Sequence, residues 1–354
     1  MSSAMLHTND DFLNAIRAEP HERTLRLLYA DWLDEHEDPR GELIRTEEEM
    51  RQVPVFADRF WELKPRRNEL RTTAGTEWCA LMKYGTECEP VFRHGIPDGW
   101  RERWRLIREF TERWYRVPMP DIGGRQAEIA EAEARLGRKL PPSVREWVAF
   151  AHDANMRPNH PIYLHVFREL YEMENVPDHP ALSLLRQYED GYAWAVHHNT
   201  LDDPDPPVHG YGFEFENGMA TTCSPDTERN PLATTVTEFT LGTALTYMKG
   251  HVSGDWVSTT SADPASVLNE LAATFPPPTR FGHYNIYEAE NIMVLASPEI
   301  RRSGTWFEMR IFKPLTREQM PASLWRYSSN GRASHQLTER SILPPAGPND
   351  PIPF

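Results

Sequence analysis

Residues 128–147 read EIAEAEARLGRKLPPSVREW, and this stretch decides the fold class. Ile129 and Leu136, with Ile122 ahead of them, line one helical face. Gly137 stands where the left-handed residue after a helix belongs. Pro141 and Pro142 suit the first turn of a second helix, where a missing N–H costs nothing. Val144, Trp147, Val148 and Ala151 then give an i, i+3, i+4, i+7 face. Two amphipathic helices joined by a tight turn must bury those faces against another layer. The sequence downstream supplies strands at 162–167, 182–188 and 192–197. Tyr211, Phe213 and Phe215 alternate with Gly212 and Glu214, the pattern of a half-buried strand. The expectation is an α+β fold, with helices packed on an antiparallel sheet.

Further along, Thr235-Val236-Thr237-Glu238 has the form of a capping box opening a helix through Met248. Asp263-Pro264 opens another, with Val267, Leu268, Leu271 and Phe275 on its face, and Pro276-Pro277-Pro278 stops it. Strands return near 283–288, 291–296 and 305–312. The Pro-rich tail, 337–354, is expected to be disordered.

A second informative stretch, residues 26–45, reads RLLYADWLDEHEDPRGELIR. Phe12, Leu13 and Ile16 precede it at helical spacing, with Asp10 as a candidate cap and Pro20 as a stop. Leu25, Leu28, Tyr29, Trp32 and Leu33 form an apolar stripe. Asp38-Pro39-Arg40-Gly41 is a turn, and Leu43 and Ile44 begin a helix with an acidic tail at Glu47, Glu48 and Glu49. Residues 101–116, RERWRLIREFTERWYR, place Trp104, Ile107, Thr111 and Trp114 on one face. Interleaved arginines and aromatics can bind nucleic acid. The acidic total favours an amphipathic helix with Arg–Glu pairs on its wet side instead.

The 354 residues exceed one typical domain, and 11 Trp favour globular cores over disorder. A net charge of −15 disfavours nucleic acid and anionic membrane as partners, and suits a basic protein. Three cysteines without a CxxC fit neither a disulfide framework nor a cysteine-rich zinc site. No signal peptide and no long apolar run is visible, so a cytoplasmic location is expected.

Two resemblances follow from these residues. Arg26–Leu33 with Asp38–Arg45 resembles a small bacterial repeat-companion domain, with a weaker echo at Trp78 and at Phe92–Ile96. It implies an accessory module and no activity. Glu133-Ala134-Arg135-Leu136-Gly137, Leu140-Pro141 and Arg145-Glu146-Trp147 resemble the entry motif of the SUKH superfamily, which includes Smi/Knr-like regulators and many bacterial immunity proteins. Trp194-Ala195-Val196 and Asp203-Pro204-Asp205-Pro206-Pro207-Val208 resemble a strand and loop of its bacterial members. The expected organisation is a helical accessory domain over 1–97, an extended SUKH-like α+β domain over 98–336, and the tail.

The resemblance implies non-enzymatic protein binding: an immunity-type protein that neutralises a toxin, or alternatively a cytoplasmic regulatory scaffold binding several host proteins. It carries over no catalytic residue. No phosphate loop, dinucleotide fingerprint, zinc-protease helix or nucleophile elbow occurs in the sequence, and no cofactor is expected. His197 and His198 are adjacent on a strand and point apart, so a shared metal is not expected, although His209 could join one of them. The Asp202–Val208 loop lacks a calcium-loop layout, and its aspartates are expected to accept backbone N–H groups. Glu133 reads as a brace for the Leu140-Pro141 turn, with a general base as the competing reading. Tyr29, Asp31, Trp32, Glu133, Leu136, Gly137, Leu140, Pro141, Trp147, Trp194, Asp205, Pro206 and Pro207 read as structural signature residues, with Asp31 expected to pair with an arginine such as Arg40. Glu189, Asp190, Glu214 and Glu216 are the candidate acidic patch for a basic partner.

Overall fold

A computed structural model describes residues 7–20, 22–84, 90–115, 125–155, 171–173, 180–187, 192–216, 219–225, 235–246, 256–261, 264–290, 292–301 and 304–311. The expected strand at 162–167 and the 337–354 tail lie outside these residues.

The N-terminal part is helical: α1 (Asn9–Ala18), α2 (Arg23–Glu35), α3 (Arg40–Met50), α4 (Asp58–Ala74) and α5 (Thr76–Leu81). The cap of α1 is Thr8 rather than Asp10. Thr8 Oγ1 accepts the Asp11 N–H, and Asp11 Oδ2 accepts the Thr8 N–H, closing a reciprocal box. Tyr29, Leu33, Leu43 and Ile44 are fully buried with Phe12 and Ile16. Arg26 is buried too, and its guanidinium donates to Pro20 O and Met82 O. Gly41 lets α3 approach α2, since a Cβ there would lie 2.8 Å from Ala30 O and 2.2 Å from Asp34 Oδ1. The expected stripe on α2 is not buried throughout, because Leu28 remains 52% exposed. Helices α4 and α5 have no counterpart in the sequence reading. Pro65 lies inside α4 and reads as a breaker, and the buried residues of that helix include Lys64.

The remainder follows as α6 (Trp100–Tyr115), α7 (Gln126–Leu136), α8 (Pro142–Asn155), β1 (Tyr171–Met173), β2 (Ala181–Gln187), β3 (Tyr192–His197), β4 (His209–Glu216), β5 (Met219–Pro225), α9 (Val236–Thr246), β6 (Trp256–Ser261), α10 (Pro264–Thr274), β7 (Thr279–Phe281), β8 (Tyr284–Ala289), β9 (Ile292–Arg301) and β10 (Gly304–Ile311). The α+β class holds, but the strands form two antiparallel sheets rather than one. The first is a meander, β1-β2-β3-β4-β5, and the second has the order β6-β10-β9-β8-β7. Helices α9 and α10 intervene in the chain between the two sets of hairpins.

Helices α6, α8 and α9 pack on one another over the first sheet. Trp147 Nε1 donates to Leu184 O, which ties α8 directly to β2. In the second sheet, β8 and β9 bury side chains on both faces. On β9, Met293 and Leu295 face the main core, while Ile292, Val294 and Ala296 face α10 through Val267, Leu271 and Phe275. Strict alternation on a strand buried on both sides explains its continuous apolar run.

Packing does not break at the expected boundary of 97/98. Phe60, Val91 and Phe92 share one core with Trp104, Phe110, Trp147 and Leu295. Trp104, Ile107, Thr111 and Trp114 of α6 are all buried, so those aromatic rings face the core and present no stacking platform. The charged pairs of α6 are not confined to a wet side either. Glu109 is only 2% exposed, and it accepts from Lys64 Nζ of α4 at 2.8 Å and from Arg113 Nε at 2.6 Å.

Candidate partner-binding site and its supporting joints

The signature residues build two joints beneath the first sheet's helices. In the first, α7 ends on Gly137 at φ 66°, a left-handed cap that bends the chain back. Glu133 Oε1 accepts the Leu140 N–H at 3.1 Å, and Oε2 accepts from Lys139 Nζ at 2.6 Å. Burial opposes ionisation of this carboxyl, but the Lys139 and Leu140 bonds and the Lys139 and Arg145 charges hold it below the usual carboxylate range. Leu140 is buried beside Val144 and Trp147, so the brace sets the angle at which α8 meets the sheet.

The second joint is the Asp202–Val208 loop. Pro204 O accepts the Ser143 N–H at the start of α8. Pro206 O accepts the Val236 N–H, and Asp205 Oδ1 accepts the Thr237 N–H, at the start of α9. Two helix N-termini, each short of intrahelical acceptors, therefore converge on one loop. Asp205 Oδ2 also accepts the Thr237 hydroxyl at 2.6 Å, and Arg103 of α6 donates to that hydroxyl at 2.7 Å. Pro207 pairs with Thr235 through an isolated bridge. Trp194 of β3 packs on Phe239 of α9, which completes the link between loop, helix and sheet.

The N-terminal signature is organised in the same way. The Tyr29 hydroxyl donates to Asn9 Oδ1 at 2.6 Å, and Trp32 stacks on His36. Asp31 pairs with Arg45 at 2.7 Å, not with Arg40, which turns to Asp38 within its own turn. The two-residue separation of Asp38 and Arg40 makes that local bidentate pair the closer choice.

Of the candidate acidic patch, Glu189 and Asp190 lie outside the described residues. Glu214 and Glu216 occupy β4 two residues apart, with Thr222 and Met219 as their β5 partners. His197 and His209 stack with ring centres 4.2 Å apart, and His197 Nε2 pairs with the Tyr211 hydroxyl. Burial pushes the His209 pKa down. Among the described residues, no group of three or more His, Cys, Asp or Glu could hold a metal ion. Among them also, no helix is long and apolar enough to cross a membrane.

Sequence reading missed Glu288, which closes a third joint. Its Oε2 accepts the Val91 and Phe92 N–H groups, each at 2.7 Å, and its Oε1 accepts Trp114 Nε1–H at 2.9 Å. Burial pushes this carboxyl above its usual range despite those three donors. The signal was present in the strand. Glu288 is in phase with Tyr284 and Ile286, the core-facing positions of β8. A carboxylate in that phase requires buried donors.

No protein-family model, curated protein or solved structure matches the chain.

Proposed function

We propose that the chain is a non-enzymatic protein-binding module of SUKH-like type, whose biological role is that of a cytoplasmic immunity-type protein binding and neutralising a basic toxin. The observation that carries this reading is the use made of the signature residues. Glu133 is committed to the Leu140 N–H and Lys139 within the α7–α8 turn, and Asp205 to the Thr237 N–H of α9 and Arg103 of α6. Such joints favour a rigid frame that presents a surface, and rigid presentation lowers the cost of binding. The −15 net charge supports a basic partner through electrostatic steering.

A regulatory scaffold is the second reading, favoured by the core shared between the N-terminal helices and the rest of the chain. Recovery of the tagged full-length protein from its native cells, with partners quantified by mass spectrometry, separates the two. One stoichiometric, basic, toxin-like partner is expected. A spread of substoichiometric host proteins would replace the immunity reading with the scaffold, and no partner above background would overturn both.

A further inference from the structure

Helix α4 turns three cations to one side. Lys64, Arg67 and Arg71 follow one another at intervals of three and four residues. Two of them are answered from neighbouring helices. Lys64 Nζ donates to Glu109 and Glu112 of α6, and Arg71 Nε donates to Glu47 of α3. Arg67, between them, is half-buried and forms no ion pair among the described residues. Its Nε and Nη2 reach only the neutral Asn68 Oδ1, at 3.3 and 3.1 Å. Its Nη1 has no hydrogen-bond partner among the described residues, and it is not sealed from solvent.

The carboxylates nearby are already engaged. Glu47 is held by Arg71, and Glu109 by both Lys64 and Arg113. Burial, with repulsion from Arg71 and Arg113, outweighs the longer-range pull of Glu47 and Glu109 and lowers the Arg67 pKa. At this junction of α3, α4 and α6, the cations Lys64, Arg67, Arg71 and Arg113 meet the carboxylates Glu47, Glu109 and Glu112, one negative charge too few. The chain as a whole has 53 acidic residues against 38 Lys and Arg, so the shortfall is local. A half-buried guanidinium loses hydration, and here no counter-charge of its own offsets the loss.

We propose that Arg67 is the receptor of an oxyanion site at the junction of α3, α4 and α6, and that its ligand is a single carboxylate group. The planar fork of a guanidinium matches a carboxylate through two parallel N–H···O bonds. One negative charge closes the local imbalance, whereas a phosphate dianion would bring a second charge toward Glu47 and Glu109. A free small acid and an Asp or Glu side chain of a partner present the same group. The site goes beyond the proposed binding of a basic protein, because it takes an acid, and its loss would leave that reading intact.

The test uses the full-length protein in a buffer free of carboxylate and phosphate, with sodium acetate compared against sodium chloride at matched ionic strength. In protein carrying isotope-labelled arginine, the Nε–Hε resonance that disappears in Arg67→Lys belongs to Arg67. Acetate should shift that resonance saturably, and chloride should not. Acetate should also raise the melting temperature above that in chloride, and the increment should vanish in Arg67→Gln. Arg67→Lys keeps the charge without the fork and should weaken acetate binding about tenfold. A purely structural arginine would lower the melting temperature when replaced and leave the acetate increment untouched. Equal responses to acetate and chloride, an increment that survives in Arg67→Gln, or a stronger response to inorganic phosphate than to acetate would overturn the proposal. A blocked glutamyl peptide that binds as tightly as acetate would assign the site to a partner's side chain, and its exclusion would assign it to a small acid.

Discussion

Glu109, Glu133 and Glu288 are buried carboxyls with three different sets of partners, and their pH behaviour differs in sign. Glu109 is opposed by burial, but Arg113, Lys64 and Arg67 hold it down at about 2. Its folded value is depressed, so its stabilisation is present above the ordinary carboxylate range and is lost as pH falls toward that value. Glu288 is raised by burial, so the folded chain holds its proton more tightly than the unfolded chain. Its stabilisation is therefore complete in acid and declines as pH rises through the carboxylate range. Denaturant titrations across pH should show the deficit of Glu109→Gln growing with pH, to about 3–5 kcal/mol once the pair is charged. The deficit of Glu288→Gln should shrink over the same rise. Deficits that move in the same direction would contradict these assignments. Glu133→Ala should cost about 1–3 kcal/mol by leaving the buried Leu140 N–H without its acceptor; an unchanged melting temperature would remove the bracing role. The role of Glu133 was legible because the N–H that donates to it, that of Leu140, lies seven residues away in the same motif. That of Glu109 was not, since Lys64, one of the two cations bonded to it, comes from a helix the sequence concealed.

Elements were most legible where local chemistry and periodicity agreed. The α7–α8 turn carries a left-handed glycine, two prolines and two clear apolar faces, and all of its signals lie within twenty residues or so. Helix α4 carries the opposite combination, an internal proline and a buried lysine. Two predictions belong here. Asp205→Ala should cost about 1 kcal/mol through loss of the α9 cap. Hydrogen exchange at the first turn of α9 should accelerate, and unaltered exchange there would show that water replaces the carboxylate without cost. Gly41→Ala should destabilise the chain by about 1–3 kcal/mol, because crowding of the Ala30 carbonyl outweighs the better helix propensity of alanine. A variant that melts higher than the parent would show that α2 and α3 separate freely.

At the scale of the molecule, length and motif order marked two parts and left their packing open, and a shared core joins them. The motifs are local, but a shared core depends on residues that meet only in three dimensions. Phe60, Val91 and Phe92 have no pattern that announces a distant partner, yet they fill the same core as Trp114 and Met293. A fragment beginning at residue 98 should therefore expose that core and melt well below the full chain. Independent cooperative melting of the fragment at the parent temperature would show that the N-terminal helices are dispensable to it. The carboxylate of Glu288 also has a consequence for biosynthesis. It receives amides 197 and 196 residues earlier in the chain. While a ribosome is still producing the intervening segment, those amides and the apolar surface beside them await a strand that does not yet exist. The nascent N-terminal helices must remain unaggregated until almost the last sheet emerges, so holdase chaperones should engage them early and release them late.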